Sequence, residues 1–159
     1  STRLRVDSYS NVRVVARLDD GSLHETARFV KASGGCSAPA TKDAEAALAA
    51  LGRMKVRRFS ATDLPEGYAE AQVMVRHPQN SGFQVDQVTL LHIPPFFIDE
   101  MTVTLGEDTV FRMTGGISIS EDPSLRFVYR ETGADTLEVT THDTDGGIYR
   151  RSFEVGAGS

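Results

Sequence analysis

Ala71-Gln72-Val73-Met74-Val75, running into Arg76-His77-Pro78, is the stretch that decides how this chain folds. Ala71, Val73 and Val75 alternate with Gln72 and Met74, the period of two expected of a half-buried strand, and Pro78 stops it. The chain on either side repeats the pattern. Met54-Lys55-Val56-Arg57 precedes it across a turn-rich stretch, Ser60 to Gly67, and Asn80-Ser81-Gly82 marks a loop after it. Val85 to Ile93 reads as the next strand, stopped by Pro94-Pro95. Phe97 to Leu105, Val110 to Met113, Leu125 to Arg130, Leu137 to His142 and Ile148 to Val155 follow, separated by glycine- and aspartate-rich turns. Short strands at this spacing predict an antiparallel β-sandwich, for which about seven strands in ~100 residues is usual. Residues 53 to 155 meet that expectation alone.

Upstream, Asp43 to Leu51 reads as a short helix: Thr41 or Asp43 caps it, alanines and Glu45 supply propensity, and Gly52 ends it. Only Leu48 and Leu51 offer a docking stripe, so it reads as a connector. Before it, Val12, Val14, Ala16 and Leu18 alternate with Arg13 and Arg17 as a half-buried strand. Asp20-Gly21 then makes a tight turn, and Leu23 to Lys31 returns as its partner. Three or so strands cannot enclose a core. The expectation is that this segment belongs to a domain whose other strands are missing or supplied by another chain, and that such a segment or chain covers its open face.

Between hairpin and helix lies Ser33-Gly34-Gly35-Cys36-Ser37-Ala38-Pro39, holding the single cysteine of 159 residues. One cysteine makes no internal disulfide, and glycines beside it supply positive φ and freedom of movement that a buried structural thiol does not need. Cys36 therefore reads as a candidate reactive thiol, against the plain alternative of a small buried hydrophobe. A reactive thiol needs exposure and thiolate character. Lys31, Lys42 and the start of the following helix are expected to raise the thiolate fraction modestly.

The remaining motifs are weaker. His77 and His92 flank the loop through Gly82 without a specified third ligand, so strand-end histidines bonded to backbone are the better reading. His142 shares its phase with Glu138 and Thr140 on a solvated face, and His24 sits beside a turn. Asp143-Thr144-Asp145-Gly146 opens like a calcium loop but lacks its later ligands, and reads as a hairpin turn. Gly115-Gly116 precedes no helix, which argues against a phosphate cradle. No serine, histidine and acid stand in a hydrolase motif. The net charge of −5 and scattered basic pairs argue against a nucleic-acid surface. No apolar run approaches the ~20 residues of a membrane span, and the first residues show no signal-peptide pattern. No metal or cofactor is expected.

The order of hairpin, Gly34-Gly35-Cys36, and a sandwich opening around His77-Pro78 with Gly82 soon after resembles the SoxYZ family of sulfur-oxidation carriers. Residues 1 to 39 resemble the C-terminal part of SoxY, whose chain ends in a Gly-Gly-Cys-Gly-Gly arm. Residues 53 to 155 resemble SoxZ, an immunoglobulin-like sandwich, through Val73-Met74-Val75-Arg76-His77-Pro78, Phe96-Phe97-Ile98, Val103-Thr104, Val110-Phe111 and Leu125-Arg126-Phe127. The combination is similar to fused SoxYZ-like carriers associated with quinoprotein dehydrogenases. The resemblance implies a periplasmic, non-catalytic carrier that holds sulfur intermediates on Cys36, with Gly34 and Gly35 as the hinge, and presents them to redox enzymes. One departure is immediate. Ser37-Ala38-Pro39 replaces the last two glycines, so the arm is tethered and stiffened by Pro39.

The expected organisation is thus an all-β chain. Residues 1–42 are a SoxY-like segment with the cysteine loop, 43–52 a helical connector, and 53–159 a SoxZ-like sandwich. Its expected role is covalent carriage of a small sulfur species on Cys36. The rivals are a module that docks a periplasmic redox enzyme with Cys36 incidental, and, more weakly, a thiol-dependent enzyme or a metal site using His77 and His92.

Overall fold

The computed structural model describes residues 1–39, 44–59 and 63–155. Two strands form a ribbon, β1 (Ser10–Arg17) and β2 (Leu23–Val30). One helix follows, α1 (Ala44–Ala49). Seven more strands come next: β3 (Met54–Phe59), β4 (Tyr68–Val75), β5 (Ile98–Leu105), β6 (Asp108–Thr114), β7 (Ser124–Arg130), β8 (Thr136–Asp143) and β9 (Ile148–Glu154). All pairings are antiparallel. A three-stranded sheet, β3-β4-β7, and a four-stranded sheet, β6-β5-β8-β9, make the expected sandwich.

The alternation read from the sequence becomes the core. Ala69, Ala71, Val73 and Val75 of β4 are buried together with Leu125 and Tyr129 of β7, Val103 and Leu105 of β5, and Leu137 and Val139 of β8. Burying each valine or leucine among them stabilises the fold by about 1.5–3 kcal/mol, so the two inner faces account for why these sheets stay together. A register shift between Ile98 and Glu100 lets Ile98 and Met101, three residues apart, both point inward. Phe111 of β6 stacks on Phe127 of β7 with ring centroids 4.4 Å apart, closing one side.

Three local expectations are corrected. Val85 to Ile93 is a looped excursion that joins no named strand, with isolated bridges at Asn80–Phe96 and Val85–His92. Asp86 is the reason, because its carboxylate accepts from the Val88 amide at 3.0 Å and from the Thr89 amide at 2.7 Å, while Leu90 takes φ 59°. That local turn outcompetes a ladder and leaves Val88, Leu90 and Leu91 exposed. The ribbon is also not half-buried: Val14 is 59% exposed, and Leu18, Leu23 and Phe29 are exposed with it. Its strands pair only with each other. In the helix, the proposed caps Thr41 and Asp43 lie outside the described residues, and Leu48 is exposed rather than docked. Leu51, the other residue of the expected stripe, is half-buried, as are Ala47 and Ala50, and Gly52 at φ 70° ends the turn as read.

The first residues run along the sandwich edge. Leu4 bridges Ile119, and the Arg5 amide donates to the Ser118 carbonyl at 2.7 Å. This edge contact carries the chain to the cysteine.

Candidate functional site at the cysteine turn

Residues 34–37 form a tight turn in which the Ser37 amide donates to the Gly34 carbonyl at 3.2 Å. The turn is docked from below by the arm. The Gly34 amide donates to the Asp7 carbonyl at 2.8 Å, the Gly35 amide to the Val6 carbonyl at 3.3 Å, and the Cys36 amide to Asp7 Oδ1 at 3.2 Å. The sandwich completes the seat, because Ser81 Oγ donates to the Cys36 carbonyl. Cys36 is 6% exposed.

The two glycines have structural duties here. Gly34 sits at φ 70°, which L residues avoid. A Cβ on Gly35 would lie 2.5 Å from the Val6 carbonyl oxygen, so only glycine allows the turn this close to the arm. They form a fitted turn in this state, where the sequence reading expected a mobile hinge and an exposed thiol. Pro39 lies exposed beyond the turn.

Ser81 is itself held by Gln84, whose Oε1 accepts from the Ser81 amide at 2.7 Å. Gln79 Oε1 accepts from the Ile98 amide at 2.7 Å, and its carbonyl accepts from Arg5 at 2.6 Å. Gln79, Ser81 and Gln84 are all buried. The segment after His77-Pro78 is thus a polar shelf joining β4 to β5, and the cysteine turn rests on it.

Burial is the first cause that pushes the Cys36 thiol above its usual range, Asp7 adds to it, and Arg5 opposes both. At neutral pH the docked thiol is protonated. This corrects the expected mild activation by nearby cations: Lys31 is exposed and has no part in the shift, Lys42 lies outside the described residues, and the cation that acts is Arg5.

The turn therefore sits where two segments meet, and each segment matches a known family. Residues 56–154, well over half of the chain, match the family described as Sulphur oxidation protein SoxZ. Residues 1–36 match Sulfur oxidation protein SoxY, a match that reaches Cys36. The chain belongs to the SoxY/SoxZ sulfur-oxidation family, as a fused member. No curated protein matches it. Membership connects the chain to sulfur oxidation, and the hydrogen bonds to Asp7 and Ser81 set the Cys36 turn between the SoxY-like arm and the SoxZ-like shelf.

The histidines separate on the SoxZ-like sandwich. His77 is buried, its ring tilted against Phe96 with centroids 4.4 Å apart, and its Nδ1 accepts from the Gln79 amide at 3.2 Å. His92 is exposed on the excursion. Among the described residues, no three His, Cys, Asp or Glu side chains are placed to hold a metal ion. Asp143-Thr144-Asp145-Gly146 is the hairpin turn between β8 and β9, as read. Unread was its buried carboxylate, which accepts from the Gly147 amide at 2.7 Å and from the Tyr149 hydroxyl at 2.9 Å and stands 3.7 Å from His77 Nε2.

Arg5, Asp7 and Ser81 were also missed by sequence reasoning. Cys36 and Asp7 are 29 residues apart, and Cys36 and Ser81 are 45 apart. No local pattern announces either pairing.

Proposed function

We propose that this chain is a non-catalytic covalent carrier of a small sulfur species in periplasmic sulfur oxidation or a related quinoprotein dehydrogenase system, with Cys36 as the attachment point. The observation that supports it best is the position of Cys36. The one thiol ends the SoxY match, on a glycine turn held by the SoxY-like arm on one side and the SoxZ-like shelf on the other.

The chemistry requires the turn to open, because a protonated, buried thiol is a poor nucleophile. Two backbone bonds, one bond from the Cys36 amide to the Asp7 carboxylate and one serine bond hold it, each contributing about 1 kcal/mol. An opening of a few kcal/mol is an accessible minor state. In that state the thiol loses its proton, and oxidative conjugation joins its sulfur to a species such as thiosulfate. The S–S bond forms with release of that proton and of an electron pair, which a redox partner enzyme accepts. The exposed ribbon is a face for further SoxY-like strands or a second chain.

Intact-mass spectrometry after incubation with thiosulfate and ferricyanide as electron acceptor tests this. The expected product is an added mass that reductant removes and that Cys36→Ser lacks. A mass that stays that of the bare chain while Cys36 alkylates normally rejects carriage.

Burial of the thiol favours a second reading, a module that docks a redox enzyme with Cys36 incidental. On that reading Cys36→Ser keeps both partner binding and physiological activity.

A further inference from the structure

The outer face of the β3-β4-β7 sheet carries a groove of about 1230 Å3 that the thiol chemistry does not use. Gln72 and Met74 of β4 and Ser124 of β7 face it, with Ala47 and Ala50 of the α1 region along its side. Its charge sets it apart. Among the described residues, Arg3, Arg53, Lys55, Arg57, Arg76 and Arg151 line it, against two carboxylates, Glu121 and Asp122. Asp122 is already paired with Arg76. Five cations remain against Glu121, in a chain whose net charge is −5.

This crowding is unfavourable in isolation. Lys55 and Arg57 are exposed, two residues apart on one strand, and so share a face. Neither has an ion-pair partner among the described residues. Like charges at such spacing repel within the ~8 Å screening length of physiological salt. An anionic occupant removes that cost and gains attraction.

The cations come from separate elements, the N-terminal arm, β3, the end of β4 and β9, and Lys55 and Arg57 alone stand about 7 Å apart along their strand. A lone oxyanion needs convergent donors. A chain bearing several carboxylates fits a spread row, and the groove's neutral residues, Met74, Ala47 and Ala50, suit small apolar side chains between them. We infer that this groove binds an extended acidic segment of a partner protein, by a contact independent of any cargo on Cys36.

The test is fluorescence anisotropy with a fluorescein-labelled peptide alternating glutamate and alanine, using the full chain. The expected result is saturable binding that weakens as salt rises, and no binding of the matching lysine–alanine peptide. Affinity should fall roughly tenfold or more in K55E/R57E, an effect of about 1.4 kcal/mol, and stay unchanged in Cys36→Ser. Should charge reversal impair folding, Lys55→Gln with Arg57→Gln and amide-shift mapping of the wild-type β3–β4 face give the same readout. Absent binding, equal binding of the lysine peptide, or shifts that map elsewhere overturn the inference. So does full displacement by millimolar sulfate, which identifies a small-oxyanion site. Salt-sensitive self-association in sedimentation velocity, abolished by K55E/R57E, also overturns it by making a second copy the occupant.

Discussion

Asp7 Oδ1 accepts the Cys36 amide at 3.2 Å, so the residue that anchors the cysteine turn also sets a negative charge beside the thiol. One side chain both positions and restrains the sulfur. Asp7→Asn keeps an acceptor oxygen while removing the charge, and it is expected to lower the thiol's ionisation pH and speed Cys36 alkylation at neutral pH. The measurement is iodoacetamide rate against pH. An unshifted profile means that Asp7 has no part in the thiol's acidity, which burial and Arg5 then set between them.

Ser81→Ala removes the hydroxyl that bonds the Cys36 carbonyl and also accepts the Phe83 amide at 3.2 Å. Leaving buried groups unpaired costs about 1–3 kcal/mol. The loss should fall mainly on the docked turn, so Cys36 labels faster while the urea midpoint of the sandwich moves little. A large midpoint shift with unchanged labelling indicates that Ser81 serves the shelf and not the turn.

Gly35→Ala tests the same docking from the arm side. The new methyl meets the Val6 carbonyl at 2.5 Å, a backbone atom with no rotamer to yield, so the turn must lift. Faster labelling than in Gly34→Ala is expected. At Gly34 the nearest atom is 3.4 Å away, and the cost, about 1 kcal/mol, comes from its positive φ. Equal rates in the two variants would show that the arm yields instead of the turn.

The sandwich was legible because its information is local. The alternation of Ala71, Val73 and Val75 is written in neighbouring residues, and so are the turns that end each strand. Val85 to Ile93 misled for the converse reason: apolar residues at strand spacing surround Asp86, whose side chain closes a turn on the amides of Val88 and Thr89. The ribbon misled because period two reports a possible buried face, and nothing in the described residues covers it. At the site, the sequence singled out Cys36 by uniqueness and Gly34-Gly35 by composition. The thiol's environment comes from Arg5, Asp7 and Ser81, and contacts across 29 and 45 residues leave no periodic trace.

The buried polar cluster behind the shelf makes stability depend on pH at both ends of the range. Burial is the first cause that lowers the His77 pKa, with Asp143 opposing. The unfolded imidazole takes up a proton near its ordinary value of ~6.5, where folded His77 refuses it. The contribution of His77 is therefore complete above about pH 6.5 and is lost as pH falls through the depressed folded value. Tyr149 acts with the opposite sign. Burial and its bond to Asp143 push it up to about 12, so the folded phenol keeps a proton that the unfolded chain releases near its ordinary ~10. Its contribution is present below that ordinary value and is lost as pH rises through the folded one. Urea midpoints across pH 5–8 should rise toward neutrality. In His77→Asn, whose Oδ1 can still accept the Gln79 amide, the acid-side slope should flatten, at a cost of about 1–3 kcal/mol at neutral pH for the volume lost against Phe96. A slope that persists in the variant assigns the acid sensitivity to carboxylates, leaving His77 a neutral spacer at every pH tested.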